Sequence, residues 1–339
     1  MNTKRITMGI VTCCLAASLL SGCGGEESAS GSGEKSAFPS DAKSAAPMAP
    51  ATGTPAAVWP AAFSPPIERF QVGNRQGHVY EVANFDKTSR VSASSVAVLG
   101  NDLYYHGKEK WAKHPRLVKV TYDKDALSAP IVLCESGGRD RLASNGKIVV
   151  FRTVEGKCGI YDGQTLTEKG PWLGSAIASG EGDTFYVVVE NGISEVRVSE
   201  NGFEAPQRIF DNFRKEPYRL TSGVHPIFGD AGGVYFSARE RKPGKSDADM
   251  VPLLFYADKR GKEIRRFVGI EEMPRGWVVT EHYVIHAALA GAFRVFDRKT
   301  GAQLADVKLR LSAYDVAHVQ GDVVLAFDER AGKLYRIDF

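Results

Sequence analysis

A short aromatic or aliphatic run followed by an acidic turn returns at a near-constant interval, and that interval constrains the fold more than any other feature of the chain. The turns are Tyr122-Asp123, Tyr161-Asp162, Ser199-Glu200, Ala257-Asp258, Phe296-Asp297 and Ile337-Asp338, so successive acidic residues lie 39, 38, 58, 39 and 41 apart. Upstream of each turn sits a β-type run: Leu103–Tyr105, Ile148–Phe151, Phe185–Val188, Val234–Phe236, Tyr283–Ile285 and Val323–Leu325. Polar or glycine turns precede most of these runs, as at Asn101-Asp102, Asn145-Gly146, Gly182-Asp183, Gly232-Gly233 and Gly321-Asp322. β-Branched and aromatic residues bounded by such turns make strands. A period near forty with about four short strands per unit makes the blades of a β-propeller, and no long helical pattern interrupts it. The expected fold is therefore all-β, a single propeller of six blades, or of seven if the residues before Gly77 add another.

The ends of the repeat region predict how the ring closes. The last unit stops at Asp338-Phe339, before its fourth strand, while Val79–Phe85 is a strand without a unit of its own. That N-terminal strand completes the last blade, and closure removes the exposed edges that a linear array would keep.

The repeats resemble those of the bacterial PQQ-like and YncE-like propellers, which end in an aromatic-Asp-x-x-Thr-Gly hairpin. Phe296-Asp297-x-x-Thr300-Gly301 matches that pattern in full and Tyr161-Asp162-x-x-Thr165 in part. The likeness covers residues 77–339 as architecture. The tryptophan docking motifs of the quinone-binding members are missing, so the resemblance implies no quinone.

The first 23 residues predict where the chain is delivered. Lys4 and Arg5 form a charged start, an apolar run extends from Ile6 to Leu20, and Leu20-Ser21-Gly22-Cys23 closes the segment. The order is that of a secretory signal, too short for a membrane span. The closing tetrad resembles the bacterial lipobox, which implies cleavage before Cys23 and a diacylglycerol and acyl anchor on its thiol. From Gly24 to Ser64 the chain is rich in Gly, Ala, Ser and Pro, with no apolar periodicity. Such a segment is a flexible leash, spanning on the order of 35 Å as a coil. The domains are thus 1–23 signal, 24–64 disordered tether and 65–339 propeller. Gly24 is not the aspartate of inner-membrane retention. The expected location is the outer membrane, facing the periplasm or exposed at the surface.

Formal charge is +3, and loss of Lys4 and Arg5 with the signal leaves +1. Global charge therefore argues neither for nucleic acid nor for an anionic membrane, and no nucleic-acid partner is expected. Cys13 and Cys14 belong to the signal, so only Cys134 and Cys158 reach the folded domain. In an oxidising compartment they are a candidate disulfide, worth ~3 kcal/mol of chain entropy if formed, with two unpaired thiols as the alternative.

Motifs for chemistry are scarce. Gly-x-Ser-x-Gly, a phosphate loop, His-Glu-x-x-His and, in the domain, Cys-x-x-Cys are all missing. Asp247-Ala248-Asp249 lacks the glycine and glutamate of a calcium loop and reads as a solvated turn. The recurring turn aspartates read as caps of their own turns. His282 and His286 share a strand face but stand ~13 Å apart, too far for one ion, and read as packing groups of blade five. No metal, catalytic residue or cofactor beyond the lipid is expected.

The loops carry more information. Two connections are enlarged. Gly107–Arg116 holds Lys108, Lys110, Trp111, Lys113 and Arg116. Arg239–Met250 holds Arg239, Arg241, Lys242 and Lys245. They belong to blades one and four, opposite each other in a ring of six. Interblade segments of the same face add Arg139, Arg141, Arg214, Lys215, Arg219 and Arg275. A basic rim of this kind steers an acidic protein, with Trp111 as an anchor. The expected role is a membrane-tethered, non-catalytic binding or scaffolding propeller, with toxin neutralisation as one specific form. The alternatives are a hydrolase or lyase, or a binder of a small molecule or glycan, with the site at the central channel.

Overall fold

The computed structural model describes residues 59–85, 90–108, 114–136, 142–190, 192–199, 201–211, 227–241, 250–259, 263–270, 274–312, 315–328 and 331–339. Apart from a 3₁₀ turn at Leu289–Gly291, the regular elements among them are strands. They form six antiparallel sheets, each meandering outward from its first strand.

Blade one is built from Arg90–Leu99, Asp102–Lys108, Arg116–Asp123 and Ile131–Glu135, with a two-residue extension at Ala126–Leu127. Blade two contains Leu142–Ser144, Val149–Arg152, Lys157–Tyr161 and Leu166–Pro171. Blade three contains Ile177–Ser179, Thr184–Val189, Gly192–Ser199 and Gln207–Phe210, extended at Gly202–Phe203. Blade four follows as Ile227–Gly229, Gly233–Arg241, Met250–Asp258 and Ile264–Val268. Blade five runs Pro274–Val279, Tyr283–Ala288, Ala292–Asp297 and Gln303–Lys308. Blade six takes Asp315–Gln320, Val323–Asp328 and Lys333–Asp338 from the C-terminus and Arg75–Val82 and Glu68–Val72 from the N-terminus.

The fold is the six-bladed propeller expected, closed by an N-terminal strand. That strand pairs antiparallel with the last one, from His78 opposite Asp338 to Val82 opposite Leu334. It begins four residues before Val79 and ends at Val82. Ala83, read from the sequence as its continuation, instead bridges in parallel to Ala126 of blade one. The residues before Gly77 add a fifth strand to blade six rather than a seventh blade. Gly77 lets that strand lie close, because a Cβ there would stand 2.2 Å from the Phe70 ring.

Alternation of side chains explains why the blades stack. In blade two, Val149 and Phe151 face blade one while Val150 faces blade three. A second strand sandwiched between two blades is therefore apolar on both faces, and Tyr283–Ala288 is buried at every position. The described core resolves into one apolar cluster at each of the six seams. The wide 58-residue spacing reflects two long connections, one between blades three and four and one within blade four.

The same alternation separates the two cysteines. Cys134 packs toward the one–two seam from the outer strand of blade one, whereas Cys158 points from blade two into the two–three seam. Both are free thiols, so the candidate disulfide is not formed. Burial pushes the Cys134 thiol up to about 11 and the Cys158 thiol up to about 12, which leaves both protonated at neutral pH.

Candidate functional site

In each blade the first-to-second and third-to-fourth connections lie at one end of the ring, here the turn end. The second-to-third and interblade connections lie at the other, the loop end. This follows from the antiparallel meander and fixes where every candidate residue sits.

All the basic candidates belong to the loop end. Lys108 ends the second strand of blade one and Arg116 begins its third; Lys110, Trp111 and Lys113 fall between them, outside the described residues. Arg239 and Arg241 lie on the second strand of blade four, paired through the backbone with Pro252 and Met250. Lys242 and Lys245, like Asp247 and Asp249, lie outside the described residues in the connection that follows. Arg139 and Arg141 fall between blades one and two, and Arg214, Lys215 and Arg219 between blades three and four, again outside the described residues. Arg275 sits near the start of blade five's first strand. Cys23 is likewise outside the described residues.

Two buried histidines brace this end. His106, on the second strand of blade one, stands 2.8 Å from Ser136 Oγ through Nε2, and Ser136 donates to the Arg152 carbonyl at 3.1 Å. With that serine proton committed, the imidazole is the donor to Ser136. Both side chains are sealed from solvent, so this Ser–His pair ties blade one to blade two and presents no nucleophile to a substrate. Where His106 faces the following blade, His286, on the second strand of blade five, faces the preceding one, four. Its Nδ1 accepts from the Ile270 amide at 3.0 Å, and its ring packs against Trp277. Burial first, and Arg294 second, drive its pKa down to about 3, so it is neutral. His282 is elsewhere, at the turn end, with Nδ1 2.8 Å from Asp322 Oδ2. Among the described residues no group of three or more His, Cys, Asp or Glu is placed to hold a metal ion.

The turn end is a belt of paired charges. Asp162 and Asp297 cap their own turns as expected, each Oδ1 accepting from two donors of the following residues. Gly301, in the Thr-Gly of the hairpin motif, supplies the left-handed residue that this turn requires (φ 76°). Other aspartates reach across seams. Asp230 of blade four pairs with Arg298 of blade five, whose Nε also bonds Tyr235 at 3.1 Å. Asp322 of blade six accepts from Thr280 and His282 of blade five at 2.8 and 2.9 Å. Lys259 of blade four reaches Glu195 of blade three at 3.0 Å, and Lys147 of blade two reaches Asp183 of blade three at 2.8 Å.

At the six–one seam Arg336 contacts the Tyr122 hydroxyl at 3.2 Å, and that hydroxyl donates to Asp125 at 2.6 Å. Burial raises the Tyr122 pKa to about 12, reinforced by the hydrogen bond to Asp125. Burial alone would raise the Asp125 pKa too, but the Tyr122 hydroxyl and the amides of Ser64 and Phe63 outweigh it and hold the carboxyl below its usual range. Those amides belong to a segment read from the sequence as leash. The chain docks from Trp59, which is buried and stacked on Tyr122, so the folded unit starts before residue 65. It enters the ring at the turn end, opposite the basic loops. The lone tryptophan in an Ala/Pro run was the signal that composition masked.

No protein-family model matches the chain, and no curated protein matches it in sequence. Solved structures resemble it. A structural-genomics protein of unknown function from Bacteroides thetaiotaomicron is 14% identical at a TM-score of 0.50, over 77% of this chain and 76% of that one. The WD40 repeats of RRP9 align at 12% identity and a TM-score of 0.47, over 77% of this chain and 99% of that one. YCF48 bound to a D1 peptide aligns at 12% identity and a TM-score of 0.44, over 77% and 96%. At such identities the likeness is one of fold.

Proposed function

We propose that this chain is a membrane-tethered propeller that captures an acidic protein on its loop end and performs no catalysis of its own. The observation that carries the reading is topological. The enlarged connections of blades one and four and three interblade segments, with most of the domain's clustered Lys and Arg, belong to one end of a nearly neutral molecule. At the opposite end Lys147, Lys259 and Arg298 are engaged with carboxylates of neighbouring blades, and the basic connections of the loop end supply the field that attracts a partner. The lipobox at Cys23 supports anchoring in the outer membrane through a diacylglycerol, with residues 24–58 as the leash. The aromatic-Asp-x-x-Thr-Gly hairpin supports kinship with the PQQ-like and YncE-like propellers.

The test is affinity capture from detergent-solubilised envelope with the full chain as bait, beside a variant in which Lys110, Arg116, Arg241 and Lys245 are changed to Gln. An acidic protein retained by the first bait and lost from the second is the expected result. Retention that weakens as salt rises is part of it. Identical proteins on both baits would overturn the basic-end reading, and a Cys23→Ala chain that still partitions with membranes would overturn the anchor.

A further inference from the structure

We infer that the six–one seam is a built peptide-binding site whose ligand is the chain's own Trp59–Ser64 segment, bound in cis as a latch on the closed ring. This goes beyond the partner-binding reading and does not depend on it.

The site reads a main chain. The Trp59 amide donates to Gln320 Oε1, the Pro60 carbonyl accepts from Arg336 Nη1 at 2.5 Å, and one carboxylate oxygen of Asp125 accepts the amides of Phe63 and Ser64 at 2.9 and 2.5 Å. A single side chain is taken into the seam: Trp59, 4% exposed, stacks on Tyr122 at 4.8 Å and 24°. Phe63 is 74% exposed, so the ligand is defined by its tryptophan and by an extended backbone with two adjacent amides four residues on. The receiving groups are themselves sealed, with Tyr122 at 0%, Asp125 at 2% and Arg336 at 3% exposure. They come from both sides of the closure, Arg336 and Gln320 from blade six and Tyr122 and Asp125 from blade one. Whatever occupies them ties the last blade to the first.

The local backbone supplies an independent argument. Lys124 and Asp125 are both left-handed, at φ 47° and 58°. A two-residue turn of that geometry favours glycine at its second position, as in Asn-Gly. An aspartate there carries local strain, and what it provides in exchange is the carboxylate that holds the segment.

The experiment uses the full chain with residues 59–64 exchanged for a Gly/Ser run of equal length. A fluorescent peptide spanning residues 57–67 is then followed by anisotropy and thermal melting. The exchanged chain should melt on the order of 5–10 °C below the natural one. It should bind the peptide saturably and recover stability with it. The natural chain, its site already filled, should bind at least about tenfold more weakly. An exchanged chain that melts with the natural one, or that melts lower but ignores the peptide, overturns the site. If the exchanged chain does not fold, Asp125→Gly in the natural chain decides. This change suits the turn but removes the carboxylate. Protease cleavage within 59–64 is expected to become faster by about tenfold or more, and unchanged protection overturns the proposal.

Discussion

The two ends of the ring use charge in opposite ways. At the turn end, five of the six seams are crossed by an ion pair or a charge-assisted hydrogen bond among the described residues. At the loop end, most of the clustered Lys and Arg belong to connections that also carry Glu109, Asp140, Glu216 and Asp247. The described supports there are the buried His106 and His286 together with Arg294, which donates to the Val268 and Gly269 carbonyls across the four–five seam. Charge that is paired and partly buried contributes to holding blades together. Charge gathered on open connections contributes a field. The cross-seam pairs give the turn end a role in stability, and the proposed capture of an acidic partner rests on the field of the loop end.

The largest test of that division is Arg336→Ala. Removing one member of a buried hydrogen-bonded charge network costs about 3–5 kcal/mol, so the melting midpoint should fall by several degrees while partner capture below that midpoint is unchanged. Loss of capture at a temperature where the variant is folded would show that the two ends are not independent. Changing Lys110, Arg116, Arg241 and Lys245 to Gln should do the reverse, weakening capture by about tenfold to hundredfold with the midpoint nearly unmoved.

Acid should distinguish the ends as well. His286 has a folded pKa near 3, below its unfolded value of 6.5. Between those values the unfolded chain binds the extra proton, so the neutral-His contribution is full above pH 6.5 and is lost as pH falls toward 3. The slope is at most about 1.4 kcal/mol per pH unit. Denaturant midpoints of the natural chain and His286→Gln should converge as pH drops from 7 to 5. Parallel curves would remove His286 as the acid-sensitive brace of the loop end. The smallest effect belongs to Lys147→Ala. Both members of its pair are about two-thirds exposed, so the change should cost no more than about 0.5 kcal/mol. A larger loss would mean that even exposed pairs of the turn end act as a network.

Much of the architecture was legible because its signals are local. Tyr283–Ala288, Val323–Leu325 and their counterparts declare themselves by residue type and flanking turns, and Phe296-Asp297 through Gly301 closes its own hairpin. The charge of the loop-end connections is read from the sequence alone, and most of those residues lie outside the described ones. The cysteine pairing was not legible. Cys134 and Cys158 were near enough in sequence to suggest a bond, but alternation turned them toward different seams. Nor was the docking of Trp59–Ser64, whose partners lie far away: Trp59 meets Gln320, 261 residues on, and Pro60 meets Arg336 across 276.

By itself the sequence determined strand content, blade period and the manner of closure, because each depends on neighbours within about forty residues and on the single fact that a closed ring leaves no unpaired inner edge. Only the tertiary structure decided which carboxylate meets which cation, where residues 59–64 join the ring and which face each cysteine takes. Those contacts form between blades, where proximity is set by the ring's curvature rather than by distance along the chain.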